Sequence, residues 1–197
     1  MNKDRTYSVA IAGTTANTVK CAQALLDNSD FKINWILTPQ PKRIGRKQKL
    51  VKNPVHKFAQ KNNISTFFFF LKINHNQQQP VDFLLVVDFG YLVPNWLLEL
   101  PQIAPLNIHP SKLPRWRGSS PGQFVLLAGD KKSAVSLIKM NQNLDQGPII
   151  SQLEFEVKSD WTQQEYYDHS FELNTKKLAT LIKKYALDKL SAEKQPK

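Results

Sequence analysis

Short apolar runs alternate with amphipathic stretches along this chain. Val9, Ala10, Ile11 and Ala12 run into Gly13, and Val19, Ala22, Leu25 and Leu26 then recur at helical spacing. That pattern predicts strand, turn and helix. Residues 31–37 read as a second strand. Residues 38–53 are rich in Pro, Lys and Arg, have no periodicity and exceed an ordinary connection, which predicts an irregular loop that is functional or mobile. Asn53 is placed to cap a helix that has Pro54 at its first position and Val55, Phe58 and Ala59 on its apolar face.

Residues 65–70 and 82–87 suit buried strands, with a polar loop at 74–79 between them and Gly90 just beyond the second. Residues 103–109 and 133–140 add two more strands. Between these two, Ser120 is expected to cap a helix with Pro121 at its start and Gly129 at its end. Leu153, Phe155 and Val157 alternate with Glu154 and Glu156, which predicts a strand exposed on one face. Thr162 and Glu165 form a capping box, and Leu178, Leu181, Ile182 and Tyr185 mark the stripe of a final helix. Strands alternating with helices imply an α/β fold, a Rossmann-like, doubly wound, mostly parallel sheet with ligands beyond the carboxyl ends of its strands.

With 197 residues the chain has room for one substantial domain. The lone Cys21 cannot form an intramolecular disulfide, and no apolar signal segment opens the sequence, so a cytoplasmic setting is expected. The apolar runs at 67–71 and 83–87 are far below the roughly 20 residues that span a bilayer, which predicts no membrane association. The net charge of +11 is localised. Residues 31–81 contain no Asp or Glu but carry Lys32, Lys42, Arg43, Arg46, Lys47, Lys49, Lys52, Lys57, Lys61 and Lys72. A phosphate-bearing partner is the natural reading of such a segment, with a merely solvated face as the alternative.

Asn107 and His109 lie two apart in a predicted strand, so their side chains share one face where the strand runs out into Pro110. A carboxamide beside an imidazole can stabilise an oxyanion, and the imidazole can also move a proton. Asp145, in a turn ahead of Gly147 and Pro148, is the candidate carboxylate to complete the set. Taken alone, the trio is weak evidence, because a histidine and an asparagine at a strand end are more often satisfied structural polar groups.

The surrounding sequence separates these readings. Leu106-Asn107-Ile108-His109-Pro110-Ser111-Lys112-Leu113-Pro114-Arg115-Trp116-Arg117-Gly118 closely resembles the signature of folate-dependent formyltransferases, and Leu144-Asp145-Gln146-Gly147-Pro148-Ile149-Ile150 resembles their second signature. Ala12-Gly13-Thr14 is similar to the turn after their first strand, and the stretch from Val87-Asp88-Phe89-Gly90-Tyr91 to Pro94 to the loop that holds the folate pterin. Gly45-Arg46, Lys49-Leu50 and Pro54-Val55 resemble the methionyl-tRNA formyltransferase branch in particular.

The resemblance implies the formyltransferase fold, a 10-formyltetrahydrofolate donor without any metal, and Asn107, His109 and Asp145 as the catalytic residues. It implies folate contacts from Phe89, Gly90, Tyr91 and Leu92 and from Ser111, Lys112, Leu113 and Pro114. Initiator methionyl-tRNA would be the acceptor, contacted by Lys42, Arg43, Arg46, Lys47 and Lys49. Trp116 reads either as core or as a wall of the cleft. Lys112, Gly122 and Thr15 depart from the family's usual residues. The resemblance spans residues 7–190, so residues 1–190 are expected to form the catalytic domain and 191–197 a frayed tail or the start of a linker. The C-terminal, OB-like domain of full methionyl-tRNA formyltransferases is then absent from these 197 residues. Transfer to a small amine, such as an amino sugar nucleotide or glycinamide ribonucleotide, and a catalytically faded RNA-binding module remain the alternatives.

Overall fold

The structure, a computed structural model, describes residues 5–69 and 79–196. The chain runs β1 (Tyr7–Gly13), α1 (Ala16–Leu26), β2 (Phe31–Thr38), β3 (Lys42–Ile44), β4 (Lys49–Val51), α2 (Pro54–Lys61), β5 (Ser65–Phe68), β6 (Phe83–Val87) and α3 (Asn95–Leu98). It continues through β7 (Ala104–His109), α4 (Pro121–Leu127), β8 (Lys132–Lys139), β9 (Ile149–Glu156) and α5 (Gln163–Ala186). Seven strands form one sheet in the order β5-β2-β1-β6-β7-β8-β9. The first five are mutually parallel, whereas β8 is antiparallel to both β7 and β9. Winding reverses between β1 and β6, as the doubly wound reading requires.

Strand alternation divides the core into two layers. Val9, Ile11, Phe83, Leu85 and Val87 face the side covered by α1, α2 and α5, where Cys21, Leu25, Phe58, Phe171, Leu178 and Ile182 complete the cluster. Ala10, Ala12, Leu84 and Val86 face the other side and pack with Trp35, Phe89 and Leu97. Small residues in β1 let that second layer approach closely.

Both capping predictions at Asn53 and Thr162 match the caps seen, since Asn53 accepts from the His56 amide at 2.9 Å and Thr162 with Glu165 forms a full capping box. Ser120 does not cap with its side chain. Near that helix start the Gly122 amide instead donates to the Tyr167 hydroxyl at 3.1 Å. The irregular loop predicted at 38–53 contains an antiparallel hairpin, β3 against β4, turned at Gly45 with φ +75° and Gln48 with φ +47°. Its strands are too short and too exposed on both faces to show a hydrophobic period. The strand predicted at 65–70 ends at Phe68; Phe70, Lys72 and the polar loop at 74–79, apart from Gln79, lie outside the described residues.

Residues 191–196 return to the sheet instead of fraying. Glu193 pairs with Ile149 through reciprocal backbone hydrogen bonds of 2.7 and 2.8 Å, which extends the edge of β9. Among the described residues, no helix is long and apolar enough to cross a membrane.

Candidate active site

A cleft of about 640 Å³ opens at the carboxyl edge of the sheet, beside the β1–β6 switch point. The turn after β1 forms one wall. Thr15 caps α1 and donates from its hydroxyl to the Asp88 carboxylate at 2.9 Å, Asn17 donates to the same oxygen at 3.0 Å, and the Thr14 hydroxyl reaches the Asp88 carbonyl at 2.6 Å. Asp88 itself sits at φ +45°. A carboxylate held at the start of a helix is favoured by the helix dipole. Thr15 therefore has a structural role in place of the family's usual residue. Thr14 and Asp88 fall inside stretches that resemble family motifs, but no sequence pattern joins them to each other or to Asn17, although Thr15 followed by an apolar helical pattern is an N-cap signal.

Phe89, Gly90, Tyr91 and Leu92 all line the cleft. Phe89 is buried and packs edge-on against Phe69 at 5.0 Å and Tyr91 at 5.4 Å, so it anchors the loop, while the exposed Leu92 stands at its rim. Asn107 and His109 come from β7, paired with Val86 of β6 and Ser136 of β8 respectively, and both face the cleft. His109 Nε2 lies 2.9 Å from the Trp116 carbonyl. A carbonyl can only accept, so Nε2 carries a proton and Nδ1 is the nitrogen left for exchange. Nδ1 lies 3.7 Å from Asp145 Oδ2, within ion-pair reach but beyond a hydrogen bond.

Asp145 is buried, adopts φ +54° and accepts from the Gly118 amide at 2.8 Å. Its loop can lie this close to the sheet because of Gly147. A Cβ there would meet the Lys139 carbonyl at 1.9 Å, so no larger residue fits without moving backbone. Gly122 is explained in the same way: a Cβ there would fall 2.7 Å from Tyr166 and 2.8 Å from Tyr167. The two tyrosines of α5 occupy the room that a larger residue would take. Tyr167 lines the cleft, and burial raises its phenol above the usual range.

The proposed contacts from Ser111, Lys112, Leu113 and Pro114 do not gather at this cleft. The Ser111 hydroxyl bonds the Arg115 carbonyl at 2.7 Å, which curls the chain back after Pro110. Lys112 pairs with Glu154 at 2.7 Å, and the Leu113 carbonyl accepts from Gln152 at 2.9 Å. Lys112, Leu113 and Pro114 line a separate cleft of about 800 Å³ beside β9 and residues 190–196. Trp116 lines that second cleft too, stacked on Phe124 at 5.5 Å with its indole N–H on Asp130. Lys42, Arg43, Arg46, Lys47 and Lys49 are all exposed on the β3–β4 hairpin, which leaves the same carboxyl edge of the sheet after Thr38. None of the five lines the cleft itself. Among the described residues no group of three or more His, Cys, Asp or Glu side chains is gathered to hold a metal.

Comparison with known proteins places this geometry in a family. The formyl transferase family matches residues 6–182. A methionyl-tRNA formyltransferase of Wolbachia pipientis (subspecies Culex pipiens, strain wPip) is 36% identical over 152 residues, covering 75% of this chain and 51% of that protein. The chain spans about half the length of the curated relatives it matches. Among solved structures, glycinamide ribonucleotide transformylase 1 from Symbiobacterium toebii superposes with a TM-score of 0.77 at 17% identity, over 95% of this chain and 91% of that one. An N-formyltransferase from Helicobacter canadensis, in complex with folinic acid and dTDP-3-aminofucose, gives 0.73 at 20% identity, over 95% and 67%. With the two signatures meeting at one cleft and a family match over residues 6–182, this chain belongs to the formyl transferase family.

Proposed function

We propose that the chain transfers a formyl group from 10-formyltetrahydrofolate to the amino group of methionyl-tRNA, in a cytoplasmic setting. The observation that carries this reading is the convergence of Asn107, His109 and Asp145 at one cleft. The cleft suits the donor. Its volume of about 640 Å³ falls in the usual range for small-molecule sites, and it combines apolar surface from Leu92, Leu98 and Leu144 with the exposed backbone of Gly90 for the edge of a planar heterocycle. The donor supplies an activated formyl carbon, and the chain's own groups do the rest.

Attack by the neutral amine places negative charge on the formyl oxygen, which the Asn107 carboxamide is placed to meet. His109 Nδ1 accepts the proton that the amine loses, and Asp145 holds the resulting imidazolium at ion-pair distance. The same proton is then given to the folate nitrogen as its bond to the formyl carbon breaks. For the acceptor, support comes from the exposed cations Lys42, Arg43, Arg46, Lys47 and Lys49 on the cleft's side of the sheet, and from the name carried by the Wolbachia relative.

The test offers methionyl-tRNA, an amino sugar nucleotide and glycinamide ribonucleotide as acceptors to the parent and to Asn107→Ala. Methionyl-tRNA should be formylated with the highest kcat/KM, and Asn107→Ala should lower turnover about 100-fold to 1,000-fold, as loss of one oxyanion donor does. Preference for a small amine would replace the acceptor. Absence of transfer together with no tetrahydrofolate binding by calorimetry would remove the donor as well.

A further inference from the structure

Asp145 occupies a left-handed backbone conformation, and among the described residues the hydrogen bond its carboxylate accepts comes from the Gly118 amide. Its loop is secured from outside the sheet. Glu193 bridges to Ile149, and the chain just beyond it brings the Gln195 side chain against that loop. The Gln195 amide nitrogen donates to the Asp145 carbonyl at 2.7 Å and to the Gly147 carbonyl at 2.8 Å, while its oxygen accepts from Arg117 at 3.1 and 2.7 Å. All partners agree on one orientation of the amide, since the guanidinium only donates and the two carbonyls only accept.

We infer that Gln195 is a positioning residue for formyl transfer, which clamps the Asp145 loop and so sets the carboxylate against His109. The inference rests on the proposed function. Gln195 does not line the cleft, and its hydrogen bonds to the Asp145 loop are to backbone, so its effect runs through the backbone on either side of Gln146. Arg117 orients the clamp from the segment that also supplies Gly118 to the Asp145 carboxylate.

The experiment compares the parent, Gln195→Ala, Gln195→Glu and Arg117→Ala. Transfer by the parent is measured first, and its absence would count against the proposed function rather than the clamp. Gln195→Ala should lower kcat about 10-fold to 100-fold, the scale on which small misplacements act, with KM for both substrates unchanged. Gln195→Glu keeps the length and the acceptor for Arg117 but loses both donors, so it should fall as far as Gln195→Ala. Arg117→Ala should lose less. Hydrogen exchange at the Gly118 amide, which needs no catalysis, should be faster in Gln195→Ala than in the parent. Parental kcat in Gln195→Ala, rescue by Gln195→Glu, or unaltered exchange at Gly118 would each overturn the clamp.

Discussion

Tyr166 links the fold to the site through one hydroxyl. It donates to the Pro110 carbonyl at 2.9 Å, just past His109, and accepts from the Ser133 hydroxyl at 2.7 Å. Burial pushes its phenol up to about 12, against about 10 for an exposed tyrosine. The folded chain keeps this proton where the unfolded chain releases it. The stabilisation is therefore full below pH of about 10 and is lost as pH rises towards about 12, amounting to at most about 3 kcal/mol. Melting temperatures of the parent and Tyr166→Phe should converge across that window, and parallel curves would show that the hydroxyl does not titrate late. Single residues also show how far the sequence can be read. Asn107 and His109 are legible because a strand's period of two settles their shared face. Ser111 to Pro114 are not, because their direction depends on the Ser111 hydroxyl reaching the Arg115 carbonyl rather than on any period. The Asp88 network joins residues more than 70 positions apart, which no local pattern encodes.

Among the elements, those with an apolar run, a helical period or a cap signal are legible in the sequence, short ones such as α2 and β6 included, whereas β3, β4 and α3 are not. α5 announces itself by a capping box and a stripe repeated along 24 residues. β3 and β4 have three residues each and bury nothing, so only their turn chemistry at Gly45 marks them. That hairpin carries the acceptor reading. Ile44 and Leu50 are 58% and 57% exposed among its cations, a mixture of apolar and positive surface suited to nucleic acid. Arg46→Ala should weaken methionyl-tRNA binding while sparing folate, and should flatten the salt dependence of log K by about 0.7 to 0.9 for each phosphate left without its cation. Titrations at several salt concentrations that superpose for parent and variant would leave the hairpin a solvated surface.

For the molecule as a whole, Cys21 is an internal gauge of integrity. It is fully buried where α1 meets α5, accepts a weak hydrogen bond from Asn174 at 3.8 Å, and burial drives its thiol far above the usual range. Thiolate is the reactive form, so a disulfide reagent at neutral pH should label Cys21 only as fast as the chain unfolds. Labelling much faster than unfolding measured by circular dichroism would reveal local opening between the two helices. A different whole-molecule consequence follows from how the hairpin is rooted. Among the described residues its strands pair only with each other, and its two ends are joined where Asn53 donates to the Thr38 hydroxyl at 2.9 Å, itself donating to the Gly13 carbonyl at 2.8 Å. Whatever lies between residues 39 and 52 is thus a closed excursion from a finished scaffold. Doubling the length of such a loop adds only about 0.6 kcal/mol of closure entropy. Under the proposed function, exchanging this segment wholesale would retune which amine is brought to the cleft while the donor chemistry beneath it stays intact.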